Sequence, residues 1–197
     1  MYNFPSKKHI TKAEINELPI KAFDGPIHLL KTEAEAEEAA GKLLNESLLG
    51  FDTETRPAFR KGESYDPSLL QLANETDVYL FQIQQCGLTP NLIKILSSRD
   101  IIKAGVALER DVDELQALEP FEPDGFIELA IPAKQAEIKN MGLRGLTAIL
   151  FKFRISKKEQ VSNWARPELT RSQTTYAATD AWLGRKIYLV FKEQGFV

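Results

Sequence analysis

The chain has 197 residues, 43% of them hydrophobic and 27% charged, and a formal net charge of −3. That is enough apolar material for one domain with a full core. A single cysteine, Cys86, excludes an intramolecular disulfide and argues against a cysteine-built zinc site. No apolar run is long enough to cross a bilayer, and the charge-rich N-terminus lacks the apolar core of a secretory signal. The expectation is a cytoplasmic protein with no membrane partner.

Residues 1–25 read as an N-terminal arm carrying a short helix that starts at the capping box Thr11 to Glu14, and Pro19, Gly25 and Pro26 then punctuate the chain. A second capping box, Thr32 to Glu35, opens a helix with Ala36, Ala39, Ala40, Leu43 and Leu44 on one face. LLGFDTET reads as the first central strand, an apolar run ending in polar residues. After the polar loop RPAFRKGESYDP, the segments SLLQLAN and DVYLFQI predict two strands joined by a short turn through Glu75 and Thr76. TPNLIKILSS predicts a helix, IIKAGVAL a buried strand and ERDVDELQAL a further helix. The remainder reads as helical: IELAIPAKQAEI (interrupted by Pro132), GLRGLTAILF, and a long last helix from the capping box Thr170 to Gln173 to about Glu193. This order predicts an α/β fold, a mixed sheet flanked by helices.

Candidate chemistry lies in three segments. Asp52 and Glu54 are two apart on a strand, so both leave the same face of the sheet. Near a strand's C-terminal end, that face is where α/β folds tend to open a cleft. Tyr176 and Asp180 are four apart on the last helix and share a face, with small Ala177 and Ala178 between them allowing close approach to a neighbour. Asp111 sits among Glu109, Asp113 and Glu114 and is the weakest of the five taken alone. Gathered carboxylates repel one another and raise one another's pKa values unless cations intervene, so a chain that collects them builds a divalent-metal site. Two such ions would take the formal charge from −3 to +1, with the change concentrated at the site. Basic residues cluster nearby in sequence: Arg56, Arg60 and Lys61 after the first pair, Lys157, Lys158, Arg166 and Arg171 before the last. Arg56, Arg60 and Lys61 are candidate phosphate contacts, the alternative being an ordinary solvated surface; Phe59 and Tyr65 are candidate stacking surfaces for a terminal base, and Trp164 is either a third or a buried packing residue.

D-x-E on a first strand, an Asp at a strand-to-helix junction and Y-x-x-x-D on a late helix resemble the DEDD exonuclease superfamily, tyrosine subgroup. The chain is similar to ribonuclease D and to the exonuclease domain of the Werner syndrome helicase, and SNWARPELTRSQTTYAATDAW and LLQLAN resemble that domain especially well. The resemblance covers about residues 26–195 and makes residues 26–197 the exonuclease domain. It implies a ribonuclease H-like fold and 3′-to-5′ hydrolysis of a DNA or RNA end, releasing nucleoside 5′-monophosphates. It also implies two divalent ions, Mg²⁺ or Mn²⁺, bound by Asp52, Glu54, Asp111 and Asp180, with Tyr176 orienting the attacking water. Thr175 stands where the histidine subgroup has its His, so only the tyrosine subgroup fits. One departure is Lys103-Ala104-Gly105, where many relatives carry a His before the second motif. The rivals are a nucleic-acid-binding module of the same fold without catalysis, and an endonuclease of the wider ribonuclease H-like group.

Overall fold

A computed structural model describes residues 4–197. Its centre is a six-stranded sheet in the order β1-β4-β3-β2-β5-β6. The strands are β1 (Ile27–Leu30), β2 (Leu48–Thr55), β3 (Pro67–Ala73), β4 (Val78–Phe81), β5 (Ile102–Gly105) and β6 (Phe126–Glu128). β2, β3 and β4 form an antiparallel meander, whereas β5 lies parallel to β2, β6 parallel to β5, and β1 parallel to β4. The mixed sheet expected from the sequence is therefore present. The turn between β3 and β4 is held by Asn74, whose Oδ1 accepts from the backbone N–H groups of Thr76 (3.0 Å) and Asp77 (2.8 Å), the local bonding that makes Asn a turn former.

Eight helices surround the sheet among the described residues: α1 (Lys12–Glu17), α2 (Glu33–Leu43), α3 (Ile83–Cys86), α4 (Pro90–Ser97), α5 (Leu108–Leu118), α6 (Ala130–Gln135), α7 (Leu143–Phe151) and α8 (Arg171–Glu193). The three capping boxes read from the sequence all form, at Thr11–Glu14, Thr32–Glu35 and Thr170–Gln173. On one face, Leu49 and Phe51 of β2 pack with Ala36, Ala40 and Leu43 of α2, Leu92 and Ile95 of α4, and Val112 and Leu115 of α5. The other face is covered by α8. Ile10 and Ile15, in the segment read as an arm, join a core cluster with Leu146 and Ile149 of α7 and Ile187 of α8.

Three elements depart from the sequence reading. β1 is a short strand in a segment to which the sequence assigned no element, β6 lies in one read as the start of a helix, and α3 replaces the end of the strand predicted over DVYLFQI. Four and three residues of half-buried chain carry too little alternation to be seen. Pro132 does not interrupt a long helix but sits in the first turn of short α6, where a missing N–H removes no intrahelical bond.

Glycine lets α8 lie directly on the sheet. A Cβ on Gly50 would fall 1.8 Å from the carbonyl oxygen of Ala181, and one on Gly184 would fall 2.5 Å from that of Ala104. These contacts are to backbone, which cannot rotate away. Overpacking usually destabilises by about 1–3 kcal/mol and sometimes more; Gly50→Ala is expected at or above the top of that range, because it must move a whole helix. A urea titration checks this, and an unchanged midpoint would contradict the packing described.

Candidate active site

The close approach of α8 to β2 creates the site. On β2, Gly50 faces the helix, and alternation along the strand turns Asp52 and Glu54 to that same side. Asp180 is one residue before Ala181, the residue that touches Gly50, so its carboxylate meets the end of β2. One oxygen from each of Asp52, Glu54 and Asp180 lies within 4.8 Å of the others. A β-bulge between Glu54 and Thr55 ends the regular pairing with β3 at this point, as bulges commonly do beside functional sites.

Asp111 comes from the opposite layer. It lies in the first turn of α5, which packs beneath β2, and is not one of the three carboxylates gathered within 4.8 Å. Thr53, turned to that layer by the same alternation, donates its hydroxyl to Asp111 Oδ1 at 2.8 Å. The negative charge of Asp111 nevertheless raises the pKa values of both Asp52 and Glu54. Thr53 was missed in the sequence, where the residue between two acids on a strand reads as a spacer.

Every carboxylate of the group is held above its ordinary range. Burial, then the charges of Asp180 and Asp111, drive Asp52 well up, against one hydrogen bond from the Thr53 N–H. Burial and the charges of Asp52, Asp180 and Asp111 drive Glu54 the same way. Burial lifts Asp180 to about 7, partly offset by the Tyr176 hydroxyl. Asp111 is lifted to about 6, burial outweighing the Thr53 hydrogen bond. Tyr176 also rises, through burial and then the charges of Asp180, Glu54 and Asp52, so its phenol is neutral at pH 7. Asp180 is 6% exposed, and its Oδ1 is buried without a hydrogen-bond partner. An orphaned anionic oxygen costs several kcal/mol in roughly this setting, and a cation is the group that would satisfy it. This donor set therefore fits divalent metal ions, which take hard oxygen ligands.

A stability prediction follows from these shifts. Carboxyls whose folded pKa is raised contribute stability that is intact below the unfolded value of about 4. It is lost as pH rises through the folded values, about 6 for Asp111 and about 7 for Asp180, and further for the other two. Without divalent ions, thermal midpoints should therefore fall between pH 5 and pH 8 by this contribution, and Mn²⁺ should restore more at pH 8 than at pH 5, where protons compete. Differential scanning fluorimetry across that range checks it; an Asp52→Asn protein with the same slope would refute the assignment.

The remaining candidates separate into two groups. Arg56, Phe59, Arg60, Lys61 and Tyr65 lie in the loop after β2, with Phe59 81% exposed and the Arg56 guanidinium 4.5 Å from the Tyr65 ring centroid. Trp164 is a correction. It is 1% exposed, and its ring packs 5.9 Å from that of Tyr176, so it supports the tyrosine from behind and offers no surface for a base. Lys103 is fully buried and donates to the carbonyls of Ser98 (2.6 Å) and Ile101 (2.7 Å), so its ammonium is engaged in holding the loop before β5. No described helix is long and apolar enough to cross a membrane.

Known proteins share the sequence pattern and the fold of this chain. The mouse bifunctional 3′-5′ exonuclease/ATP-dependent helicase WRN is 30% identical over 184 residues, covering 88% of this chain and 13% of its own length. The solved Aedes aegypti Nibbler EXO domain superposes with a TM-score of 0.78 at 24% identity, over 89% of this chain and 91% of that one. A Trypanosoma brucei RNase D in complex with RNA U12 superposes with a TM-score of 0.73 at 18% identity, over 86% of this chain and 62% of that one. The chain thus spans about an eighth of the mouse relative. With the family model described as 3′-5′ exonuclease matching residues 27–195, and Asp52, Glu54, Asp111, Tyr176 and Asp180 all inside that span, this chain belongs to the 3′-5′ exonuclease family.

Proposed function

We propose that this chain shortens DNA or RNA from the 3′ end, releasing nucleoside 5′-monophosphates, with Mg²⁺ or Mn²⁺ held by Asp52, Glu54 and Asp180 and, from the opposite layer, Asp111. The observation that carries this reading is the convergence of three carboxylates within 4.8 Å, one with a buried oxygen that has no partner. Bound divalent ions supply Lewis-acid polarisation of the phosphate and a lowered pKa for the attacking water. Tyr176, neutral at working pH, directs that water by hydrogen bonding. Thr53 fixes the Asp111 carboxylate through its 2.8 Å hydrogen bond, and packing on Trp164 fixes the Tyr176 ring.

The loop after β2 is assigned to the substrate strand. Its position at the open end of the strand, and the exposure of Phe59 and Arg60, support stacking by Phe59 and Tyr65 and phosphate contacts by Arg56, Arg60 and Lys61. Each lost phosphate contact flattens the salt dependence of binding by about one counterion. Changing the three basic residues to Ala, in an Asp52→Asn background, should lower that slope; identical slopes would return the loop to ordinary surface.

The activity is tested with a 3′-labelled oligonucleotide. Mg²⁺ or Mn²⁺ should release the label first, as a nucleoside 5′-monophosphate. Ca²⁺, whose coordination is longer and looser, should fail, and a bulky group at the 3′ end should block release. Internal cuts, or cleavage that survives EDTA, would overturn the reading.

A further inference from the structure

We infer that Glu128 is a positioning residue for this active centre: from the end of β6 its carboxylate fixes the first turn of α5 and so sets where Asp111 meets the cation site; this rests on the exonuclease reading above. The chain leaves β5 at Gly105 and enters α5 at Leu108, with only Val106 and Ala107 between them. Ala107 occupies the capping position of α5 with φ 63° and ψ 42°, a left-handed backbone that residues other than glycine seldom adopt, and its methyl caps no N–H group. Such conformations persist only where the surroundings impose them, and they gather at functional sites.

Here Glu128 imposes it. β6 lies parallel to β5, with Glu128 opposite Gly105. Glu128 Oε2 accepts from the Leu108 N–H at 2.9 Å, and its Oε1 accepts from the Ala130 N–H at 2.9 Å. One carboxylate thereby holds the first residue of α5 and the first residue of α6. A negative group also suits the positive pole that a helix presents at its N-terminus. Asp111 lies in that same first turn of α5. It is thus fixed twice, by the Thr53 hydroxyl at 2.8 Å and by the anchored turn that carries it. Glu128 is also near enough for its charge to be felt: burial chiefly lifts Asp111, and the charges of Glu114 and Glu128 add to it. A carboxylate that serves a metal from the far layer of a sheet has to be held by its neighbours, and groups that orient metal ligands commonly set affinity or rate by about 10–100-fold.

A double-mutant cycle with Asp111→Asn tests this. Glu128→Gln keeps the shape but leaves one acceptor oxygen for two N–H groups. It should lower kcat on a 3′-labelled oligonucleotide by about tenfold or more, and weaken Mn²⁺ binding in isothermal titration by about tenfold. KM should stay within about twofold, since the strand itself loses no contact. Glu128→Asp, one methylene short but still charged, should fall in the same direction, which separates reach from charge. In the Asp111→Asn background either change should add less than about twofold to kcat or to Mn²⁺ affinity, because a residue acting through Asp111 has nothing left to position. A residue that merely holds the fold would lower the thermal midpoint and cost the same in both backgrounds. Equal penalties in the two backgrounds, or a folded Glu128→Gln with wild-type kcat and Mn²⁺ affinity, overturn the role of Glu128 and leave the exonuclease reading intact. Should Glu128→Gln fail to fold, Glu128→Asp carries the same cycle. Asp111→Asn with wild-type rate and Mn²⁺ affinity would remove Asp111 from the site and overturn the role of Glu128 with it. Should the wild type release no nucleotide, the exonuclease reading fails on its own, and the cycle is decided by Mn²⁺ affinity.

Discussion

Asp52→Asn is expected to lower nucleotide release by roughly 10³-fold or more while raising the thermal midpoint of the metal-free protein. The two effects share one cause. Asp52 is driven above the carboxylate range by burial and by the charges of Asp180 and Asp111, and it in turn raises Glu54. Removing its charge relieves both strains, and Asn keeps the shape. The same change removes a ligand oxygen from a set within 4.8 Å, at a place where losing a single preorganised electrostatic contact already costs about 10²–10³-fold. Melting curves with and without Mn²⁺, beside rate measurements, check this. The variant should gain stability without metal and lose most of the stabilisation by Mn²⁺. Near wild-type release would remove Asp52 from the site.

Tyr176→Phe is the second large effect expected. The phenol is held neutral by burial and by the charges of three carboxylates, so it cannot act as a base, and the role proposed for it is to direct the attacking water. The ring is fixed by Trp164, so removing the hydroxyl leaves the packing in place. Losing one hydrogen bond to the reacting centre should cost about 2.7–4 kcal/mol in kcat, by analogy with the loss of one transition-state donor. Tyr176 is not one of the gathered carboxylates, so Mn²⁺ affinity should hardly change. Isothermal titration of Mn²⁺ together with kcat separates the two contributions; a large fall in affinity, or no fall in rate, would contradict the orienting role.

Much of this site was legible in the sequence because it rests on short-range periodicities. Spacing by two on LLGFDTET placed Asp52 and Glu54 on one face, and spacing by four on YAATDAW did the same for Tyr176 and Asp180. Gly50 and the alanines of α8 then bring those faces together. Asp111 shows the limit. Its helix and its position at the strand-to-helix junction were readable, but the layer it approaches from depends on tertiary packing, and so does its hydrogen bond to Thr53. Trp164 failed as a stacking surface for a related reason: an aromatic residue in a polar segment reads the same whether it is buried or exposed. The strands β1 and β6 escaped because they are half-buried edges whose pairing depends on distant neighbours.

The central claim, that strand β2 and helix α8 assemble a cation site for strand cleavage, is tested most directly by anomalous diffraction from crystals soaked in Mn²⁺. The account predicts two peaks about 3.5–4 Å apart, in contact with Asp52 and Asp180 and lost together in Asp52→Asn. Mn²⁺ bound elsewhere on the surface, with none between Asp52, Glu54 and Asp180, would contradict it.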